Sequence, residues 1–170
     1  MVVIIMLQVK ADLENLDKLI FPEDHYWTMD IKNSQAEEFR KRITVNRADK
    51  NEIPNTKNAT ANFLVKWEDA KQWSTISVAE VTRSGPLKGK TLNGEYTNSG
   101  NWQDVIAFEC KGAEPVKYHA TEGYTVVTQK GEHIPDVELT EGEDWCGYDQ
   151  AIQDSIGVYN FEARFVQVKK

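Results

Sequence analysis

The clearest fold signal in the chain is the run Val105-Ile106-Ala107-Phe108-Glu109-Cys110-Lys111-Gly112-Ala113-Glu114-Pro115-Val116. Its apolar residues predict a β-strand, and the small residues after Lys111 predict a tight turn. The chain opens with a similar stretch at residues 6–16, where an apolar strand again runs into a turn of the form Leu/Ala-Glu-x-Leu/Val. We therefore predict a β unit that is present in two related copies.

Short apolar segments separated by polar turns recur along the rest of the chain. Their alternation and their β-branched and aromatic residues predict strands at 2–11, 26–31, 39–45, 61–67, 74–82, 102–111, 124–128, 137–139 and 159–165. Residues 12–22 are predicted to form a connecting loop whose leucines tuck beneath the sheet, and only 149–155 has helical prospects. Many short strands with turns between them indicate an all-β protein.

The two copies set the predicted domain organisation. We predict a single domain over residues 1–170, with one copy at approximately 1–82 and the other at 102–170, joined by the Gly-, Ser- and Asn-rich loop 83–101. In the last strand, the side chains of Tyr159, Phe161, Ala163 and Phe165 are predicted to share one face. The expected fold is a β-barrel or sandwich of two pseudo-symmetric halves with little helix.

Charge and composition exclude some classes of function. The formal net charge of −7 disfavours binding to nucleic acid and to anionic membrane surfaces, both of which require basic patches. The apolar run at residues 2–7 lacks a basic flank and is too short to span a membrane, so it is predicted to be a strand and not a signal peptide. Cys110 and Cys146 are predicted to be reduced thiols, and the expected location is cytoplasmic.

No complete catalytic motif is present. The segment 85–91 resembles a phosphate-binding loop, but it has one residue too few between its glycines and no helix is predicted after it. The three histidines lack metal-ligand spacing, and the acidic tract 132–154 does not follow a calcium-loop pattern. We interpret these features as loops and solvated faces.

Four side chains remain as candidates for a binding surface or pocket. Trp67 and Trp73 flank a charged turn, where they form either a recognition surface if exposed or part of the core if buried. His119 and Cys110 are candidates for a pocket, provided that the fold brings them together. Neither belongs to a recognised nucleophile motif.

The segment 108–116 resembles the FECRGLEPV signature of the eukaryotic CXXC-motif-containing zinc-binding proteins, a family described as a domain of unknown function. The similarity extends over nearly the whole chain. Residues 7–15 resemble the family's LQLKATLEN opening, and Trp145, Tyr148-Asp149 and residues 155–159 resemble its W-x-x-YD and SVGIY ending. The resemblance implies a single cytoplasmic β-barrel or sandwich built from two related halves.

The resemblance also implies a zinc site that this chain lacks. Family members bind one zinc through two CxxC pairs at the tips of two hairpins, and these positions correspond to Asn33, Ala36, Trp67 and Ala70 here. None of the four is cysteine, so no cofactor is expected. Because a structural zinc contributes about 10 kcal/mol or more to folding a small site, we hypothesise that Trp67 packs between the tips, against Ala36 and Ala70, in its place.

The sequence leaves three functions open. The first is a non-enzymatic, metal-free binding or adaptor protein with an unidentified protein partner. The second is a small-molecule binder or enzyme with its site at the barrel rim, which uses His119, Cys110 or the acidic tract. The third is a metal-handling protein that uses Cys110 and Cys146 together, and it requires the two sulfurs to lie within coordination distance.

Overall fold

The computed structural model describes residues 1–169, which form β-strands and one 3₁₀ turn at Thr140–Gly142. The strands are β1 Val2–Glu14, β2 Leu16–Ile20, β3 Trp27–Asn33, β4 Phe39–Val45, β5 Asn51–Glu52, β6 Thr60–Ala61, β7 Phe63–Val65, β8 Ser74–Val78, β9 Glu95–Tyr96, β10 Gln103–Lys111, β11 Ala113–Tyr118, β12 Tyr124–Thr128, β13 His133–Val137, β14 Trp145–Asp149 and β15 Asp154–Gln167. The all-β prediction is confirmed. Over these residues, no helix is long and apolar enough to cross a membrane.

The largest sheet is symmetric about the pair formed by β1 and β10. Its strand order is β14-β15-β1-β10-β8-β7, so the first strands of the two halves meet at the centre and the last strands lie outside. Two smaller sheets contain β11-β3-β4 and β13-β12-β2 with the short β9. Each combines a hairpin of one half with the second strand of the other half, which interlocks the halves. The residue limits given above for the two copies remain a prediction.

A single residue with positive φ turns the chain from the large sheet into a small one in each half. Asn15 (φ 54°) lies between β1 and β2, and Gly112 (φ 79°) lies between β10 and β11. These two turns are structurally equivalent, whereas the sequence similarity paired Leu13 with Ala113. The register of the predicted repeat was therefore displaced by a few residues, although both stretches do contain the same strand–turn–strand unit.

The main core lies between the large sheet and the two small ones. The odd-numbered side chains Ile5, Leu7 and Val9 of β1 face this core, while Met6 faces the opposite side. There Met6 packs with Leu87 of the segment that joins the two halves. The loop predicted at 83–101 therefore covers the outer face of the large sheet, and it also contains β9.

Two predictions about connecting segments were wrong. Residues 12–22 contain the end of β1 and all of β2, because Asn15 adopts a left-handed conformation that lets a second strand start at once. The predicted burial of Leu16 and Leu19 is confirmed. Residues 149–155 form no helix and contain the tight turn between β14 and β15.

The predicted shared face of the last strand was also partly wrong. A β-bulge interrupts the pairing of β15 with β1, and Asn160 has a φ of 56° at this point. An extra residue moves the following side chains to the opposite face. As a result Phe161 packs against the core together with Val158, while the Tyr159 hydroxyl donates to the Glu14 carboxylate at 3.1 Å.

An aromatic cluster fills the centre of the core and encloses a polar chain. The His25 ring nitrogen Nε2 and the Tyr118 hydroxyl are hydrogen-bonded at 2.8 Å, and the Tyr118 and Tyr124 hydroxyls are also 2.8 Å apart. Burial lowers the pKa of His25 from 6.5 to about 4, although the nearby Asp24 charge opposes this shift. His25 is therefore neutral at pH 7. Burial raises the pKa of both tyrosines.

The depressed pKa of His25 predicts acid sensitivity. The unfolded chain takes up a proton on this ring near pH 6.5 and the folded chain only near pH 4, so the contribution to stability is present above pH 6.5 and is lost as the pH falls. We expect the free energy of unfolding of the wild type to fall, relative to His25→Phe, by about 2 kcal/mol between pH 7 and pH 5. Urea unfolding at the two pH values measures this difference.

The control is His133→Gln, which changes an exposed histidine. It is expected to keep the pH dependence of the wild type. Equal pH dependence of the wild type and His25→Phe would contradict the prediction.

Candidate functional site

The four positions at which the family resemblance implies zinc ligands lie at two neighbouring turns. Asn33 ends β3 and Ala36 lies in the β3–β4 turn, residues 34–38, which we call the first tip. Trp67 and Ala70 lie in the β7–β8 turn, residues 66–73, which we call the second tip. The strands predicted at 61–67 and 74–82 are present as β7 and β8, and they pair with each other across this turn.

The carbonyl oxygen of Gly112 joins both tips to the turn between β10 and β11. It accepts a hydrogen bond from the backbone N–H of Ser34 at 3.1 Å and another from the indole N–H of Trp67 at 3.0 Å. Gly112 has positive φ, and a Cβ at this position would lie 3.1 Å from the Cβ of Ser74. Both features favour glycine here, so the backbone can approach the tips closely.

The carboxylate of Glu38 provides a second link between the tips. One oxygen accepts the backbone N–H of Glu68 at 3.2 Å, and the other accepts the side-chain amide of Asn33 at 3.4 Å. The Asn33 oxygen in turn accepts the backbone N–H of Gln35 at 2.9 Å. The first tip is therefore closed internally and tied to the second by one side chain.

Trp67 is buried where the two tips meet. Its side chain is only 3% exposed and belongs to the main core, and Ala70 packs against the same core. The guanidinium of Arg40 lies 5.7 Å from the centre of the ring. Ala36, by contrast, is exposed. Trp67 contacts Gly112 and Arg40 and lies in the same core as Ala70. Its packing against Ala36 stays a prediction.

The side chains at these positions do not supply the ligand atoms of a tetrahedral thiolate zinc site. Alanine supplies no ligand at two of them, and the Trp67 nitrogen is a donor that is already bonded to Gly112. The Asn33 side chain is engaged within the first tip. Within residues 1–169, no group of three or more His, Cys, Asp and Glu side chains is arranged to hold a metal ion.

The two cysteines lie far apart. Cys110 pairs with Val3 near the start of β1, whereas Cys146 pairs with Gly157, which in turn pairs with Glu14 at the end of β1. At about 3.3 Å per residue, this places them roughly 36 Å apart along the sheet. They cannot share a metal ion, which is incompatible with the third function considered above.

Trp73 and Cys110 come together in one shallow cleft. A cleft of about 260 Å³ beside the first tip is lined by both residues and by Gln35. Trp73 and Lys111 also line a neighbouring cleft of about 430 Å³. Trp73 is half-buried and lines both clefts, as do Gln72 and Lys111.

Cys110 has the properties of a structural thiol. It is fully buried in β10, and burial raises its pKa well above the ordinary value, with further contributions from the charges of Glu114 and Glu109. A thiol that stays protonated is a poor nucleophile and a poor metal ligand.

His119 lies apart from these clefts and is held by a carboxylate. Its Nε2–H donates to Asp30 at 2.8 Å, and the same carboxylate oxygen accepts the backbone N–H of Arg42 at 2.9 Å. Burial acts to raise the pKa of Asp30, but these two hydrogen bonds lower it below its ordinary value. His119 does not line the cleft that contains Cys110, so the fold does not meet the condition under which these two residues would form a pocket.

Sequence reasoning missed Gly112 and Glu38 as the residues that join the tips. Gly112 carried a usable signal, because a glycine that ends an apolar strand indicates a close backbone approach. Glu38 carried none, since one glutamate in a polar turn is indistinguishable from its solvated neighbours.

The fold and its joined tips define an all-β protein of two interlocked halves with a closed end where two hairpins meet. The sequence profile of the eukaryotic CXXC motif containing zinc binding proteins matches residues 6–166, and the chain belongs to this family.

Relatives from distant eukaryotes match over almost their full length. The chain is 30% identical to the UPF0587 protein CG4646 of Drosophila melanogaster, with 96% of this chain and 97% of the relative covered. It is 27% identical to the human CXXC motif containing zinc binding protein, with 96% and 98% covered.

Solved structures show the same fold. A hypothetical protein from Plasmodium falciparum superimposes with a TM-score of 0.83 at 29% identity, covering 96% of this chain and 99% of that one. The crystal structure of C1orf123 gives a TM-score of 0.79 at 25% identity, with the same coverage. Despite this similarity, the present sequence contains no CxxC motif, because its two cysteines are Cys110 and Cys146.

The buried indole of Trp67 generates a stability prediction. Trp67→Phe keeps most of the ring but removes the bond to Gly112, which we expect to cost about 1 kcal/mol of unfolding free energy. Trp67→Ala also leaves a cavity and is expected to cost about 3–5 kcal/mol. Urea unfolding measures both values.

The matched control is Trp102→Phe, in which a half-buried indole beneath the Arg164 guanidinium is changed. We expect an effect of less than about 0.5 kcal/mol there. If Trp67→Phe were no more destabilising than this control, the hydrogen bond to Gly112 would not stabilise the tips.

Proposed function

We propose that this protein is a metal-independent member of its family and acts, without catalysis, as a binding or adaptor module for another protein. The observation that carries the proposal is the closure of the two tips by Trp67, Gly112 and Glu38. In relatives named as zinc-binding proteins, a metal is expected to join the two tips. Here the chain's own side chains join the same turns.

The free energies that the tip residues contribute support retention of the fold without zinc. A buried tryptophan contributes several kcal/mol through apolar burial, and each hydrogen bond of the network adds about 1 kcal/mol. Together these contributions approach the scale of a structural zinc site, about 10 kcal/mol.

The surface beside the tips supports a binding role. Trp73 stands half-buried between two open clefts, and Lys71 and Lys111 line the larger one. Tryptophan is enriched among residues that dominate binding energy at protein interfaces. Two lysines in a chain of net charge −7 favour a partner segment with acidic residues.

The alternative function at the barrel rim has less support. It relied on His119, Cys110 or the acidic tract, but Cys110 is a buried thiol with a raised pKa and His119 is bound to Asp30. No nucleophile adjoins a base among these residues. The observed geometry therefore supports the adaptor role better than it supports a site at the barrel rim.

Metal independence predicts a specific result for purified protein. We expect elemental analysis to find substoichiometric zinc and the thermal unfolding midpoint to be unchanged by a strong chelator, because no tip residue supplies a thiolate. One zinc per chain, with a lower midpoint after its removal, would contradict the proposal.

The quadruple variant Asn33→Cys, Ala36→Cys, Trp67→Cys, Ala70→Cys provides the matched control. If these are the lost ligand positions, the variant is expected to bind one zinc and to become chelator-sensitive. Absorption of the cobalt-loaded variant reports whether the coordination is tetrahedral thiolate.

The binding role predicts that Trp73 dominates partner affinity. Proteins captured from native lysate by the wild type are to be purified and their affinities measured by calorimetry. Trp73→Ala is expected to reduce the binding free energy of a genuine partner by about 2 kcal/mol, which lowers its affinity roughly 30-fold. Reversal of charge at Lys71 and Lys111 is expected to lower the association rate.

The control for this experiment is Trp102→Ala. Trp102 lies at the opposite end of β10 from Lys111, roughly 30 Å away at about 3.3 Å per residue, and is also half-buried. If both tryptophan variants bind the partner as the wild type does, the proposed surface is wrong.

A further inference from the structure

The large sheet ends at β14, a strand whose outer edge is open. β14 is the first strand in the order β14-β15-β1-β10-β8-β7, and it pairs only with β15. This pairing runs from Trp145 opposite Val158 to Asp149 opposite Asp154 without a register shift. A regular strand at the edge of a sheet presents unpaired N–H and C=O groups, which another extended chain can use.

The other edge strands within residues 1–169 each have a feature that hinders pairing. β4 contains the run Arg40-Lys41-Arg42 and a bulge, and β11 contains Pro115 beside a bulge. β13 contains Pro135 next to Asp136, which has a φ of 59°. The strands β5, β6, β7 and β9 are only two or three residues long. Basic side chains, prolines, bulges and shortness are the usual protections of sheet edges, and β14, with five residues, has none of them.

The backbone groups of Cys146 and Tyr148 point away from the sheet. Tyr148 lies opposite Ser155, whose N–H donates to the Asp154 carboxylate at 2.7 Å and whose carbonyl accepts the Asn15 side-chain amide at 2.8 Å. Because both backbone groups of Ser155 are used elsewhere, the two residues form a non-hydrogen-bonded pair, and the N–H and C=O of Tyr148 face outward. The same holds two residues earlier for Cys146. No other described residue is bonded to these groups.

The charges around this edge define the charge of its partner. Between Lys130 and Arg164 the sequence contains acidic residues but no Lys or Arg. Exposed Glu143 and Asp144 precede β14, and exposed Asp154 lies at its other end. A second copy of the chain would bring two such segments together, and the repulsion between like charges disfavours this arrangement. The edge instead complements an extended segment that contains Lys or Arg.

The outer face of β14 offers side-chain contacts to such a segment. Tyr148 is 56% exposed and Cys146 is also exposed, whereas Trp145 packs against the main core and Asp149 is buried. Side chains that lie opposite each other on paired strands interact directly, and a tyrosine ring attracts Lys and Arg. Tyr148 therefore favours a basic residue in the added strand.

We propose that β14 binds an extended, basic segment of a partner protein, which adds a strand to the large sheet through the backbone groups of Cys146 and Tyr148. This surface is separate from the one around Trp73. Trp73 shares a cleft with Cys110, which lies opposite the start of β1, whereas β14 lies beside the part of β15 that pairs with the end of β1. The molecule thereby has two surfaces, which suit partners of opposite charge.

The test is an NMR titration of the ¹⁵N-labelled full chain with peptides blocked at both ends. The probe is Lys-Val-Arg-Val-Lys-Val-Lys, and in the acidic control Glu replaces every Lys and Arg. The basic peptide is expected to bind saturably and at least about tenfold more tightly than the acidic one. The largest shift changes are expected at the amides of Cys146 and Tyr148, whose hydrogen exchange slows because each N–H acquires an acceptor.

A third peptide separates strand addition from simple charge attraction. Lys-Pro-Arg-Pro-Lys-Pro-Lys has the same charge as the probe, but proline lacks an N–H and is excluded from regular sheet positions. It is expected to bind at least about tenfold more weakly than the valine peptide.

Two variants of the edge have matched controls. Cys146→Pro removes an outward N–H and is expected to weaken binding of the basic peptide roughly fivefold, whereas Cys146→Ser keeps this N–H and the affinity. Tyr148→Lys gives the edge a positive charge and is expected to weaken binding at least about tenfold. Tyr26→Lys, which changes a tyrosine that is 61% exposed before β3, should not. If Cys146→Pro fails to fold, Tyr148→Lys decides the result.

Four results would overturn the proposal. They are equal binding of the basic and acidic peptides, equal binding of the valine and proline peptides, and the absence of saturable shift changes at β14. The fourth is protection of the Cys146 and Tyr148 amides in the free chain that increases with protein concentration, which would make this edge a contact between two copies.

Discussion

The carbonyl oxygen of Gly112 is the point on which the closed end of this molecule depends. It accepts hydrogen bonds from Ser34 in the first tip and from the Trp67 indole in the second. Gly112 is also the residue at which the chain leaves the large sheet for a small one. One backbone group thereby couples both hairpins of the first half to the turn that follows the first strand of the second half.

The same turn explains why the two halves cannot be separated. After Asn15 and after Gly112, the next strand joins the small sheet of the other half, so each small sheet needs both copies. The large sheet likewise needs β1 and β10 at its centre. Closure of the tips therefore acts on an interlocked fold, whose sheets are already held by pairing between the two halves.

The sequence predicted the strands more reliably than the places where strands change direction. The stretch from Val105 to Lys111 was recognisable because its apolar residues are continuous, whereas the turn at Asn15 was missed because asparagine between two apolar runs also suits a loop. The bulge at Asn160 was missed for a similar reason. A single residue in left-handed conformation reverses the faces of a strand without changing its composition.

The candidate sites were less predictable than the fold. The family resemblance led to Trp67 because a large residue replaces an expected ligand, and its burial agrees with the proposed packing role. His119 and Cys110 were chosen for their chemistry, yet the fold places one against Asp30 and the other in the wall of the sheet.

Hydrogen exchange of the Trp67 indole N–H, measured by NMR with and without a strong chelator, tests the central claim most directly. Because this N–H is buried and bonded to Gly112, the account predicts that it exchanges far more slowly than the indole of half-buried Trp73, at a rate that the chelator does not change. Rapid exchange of Trp67, or exchange that accelerates when metal is removed, would contradict closure of the tips by the chain itself.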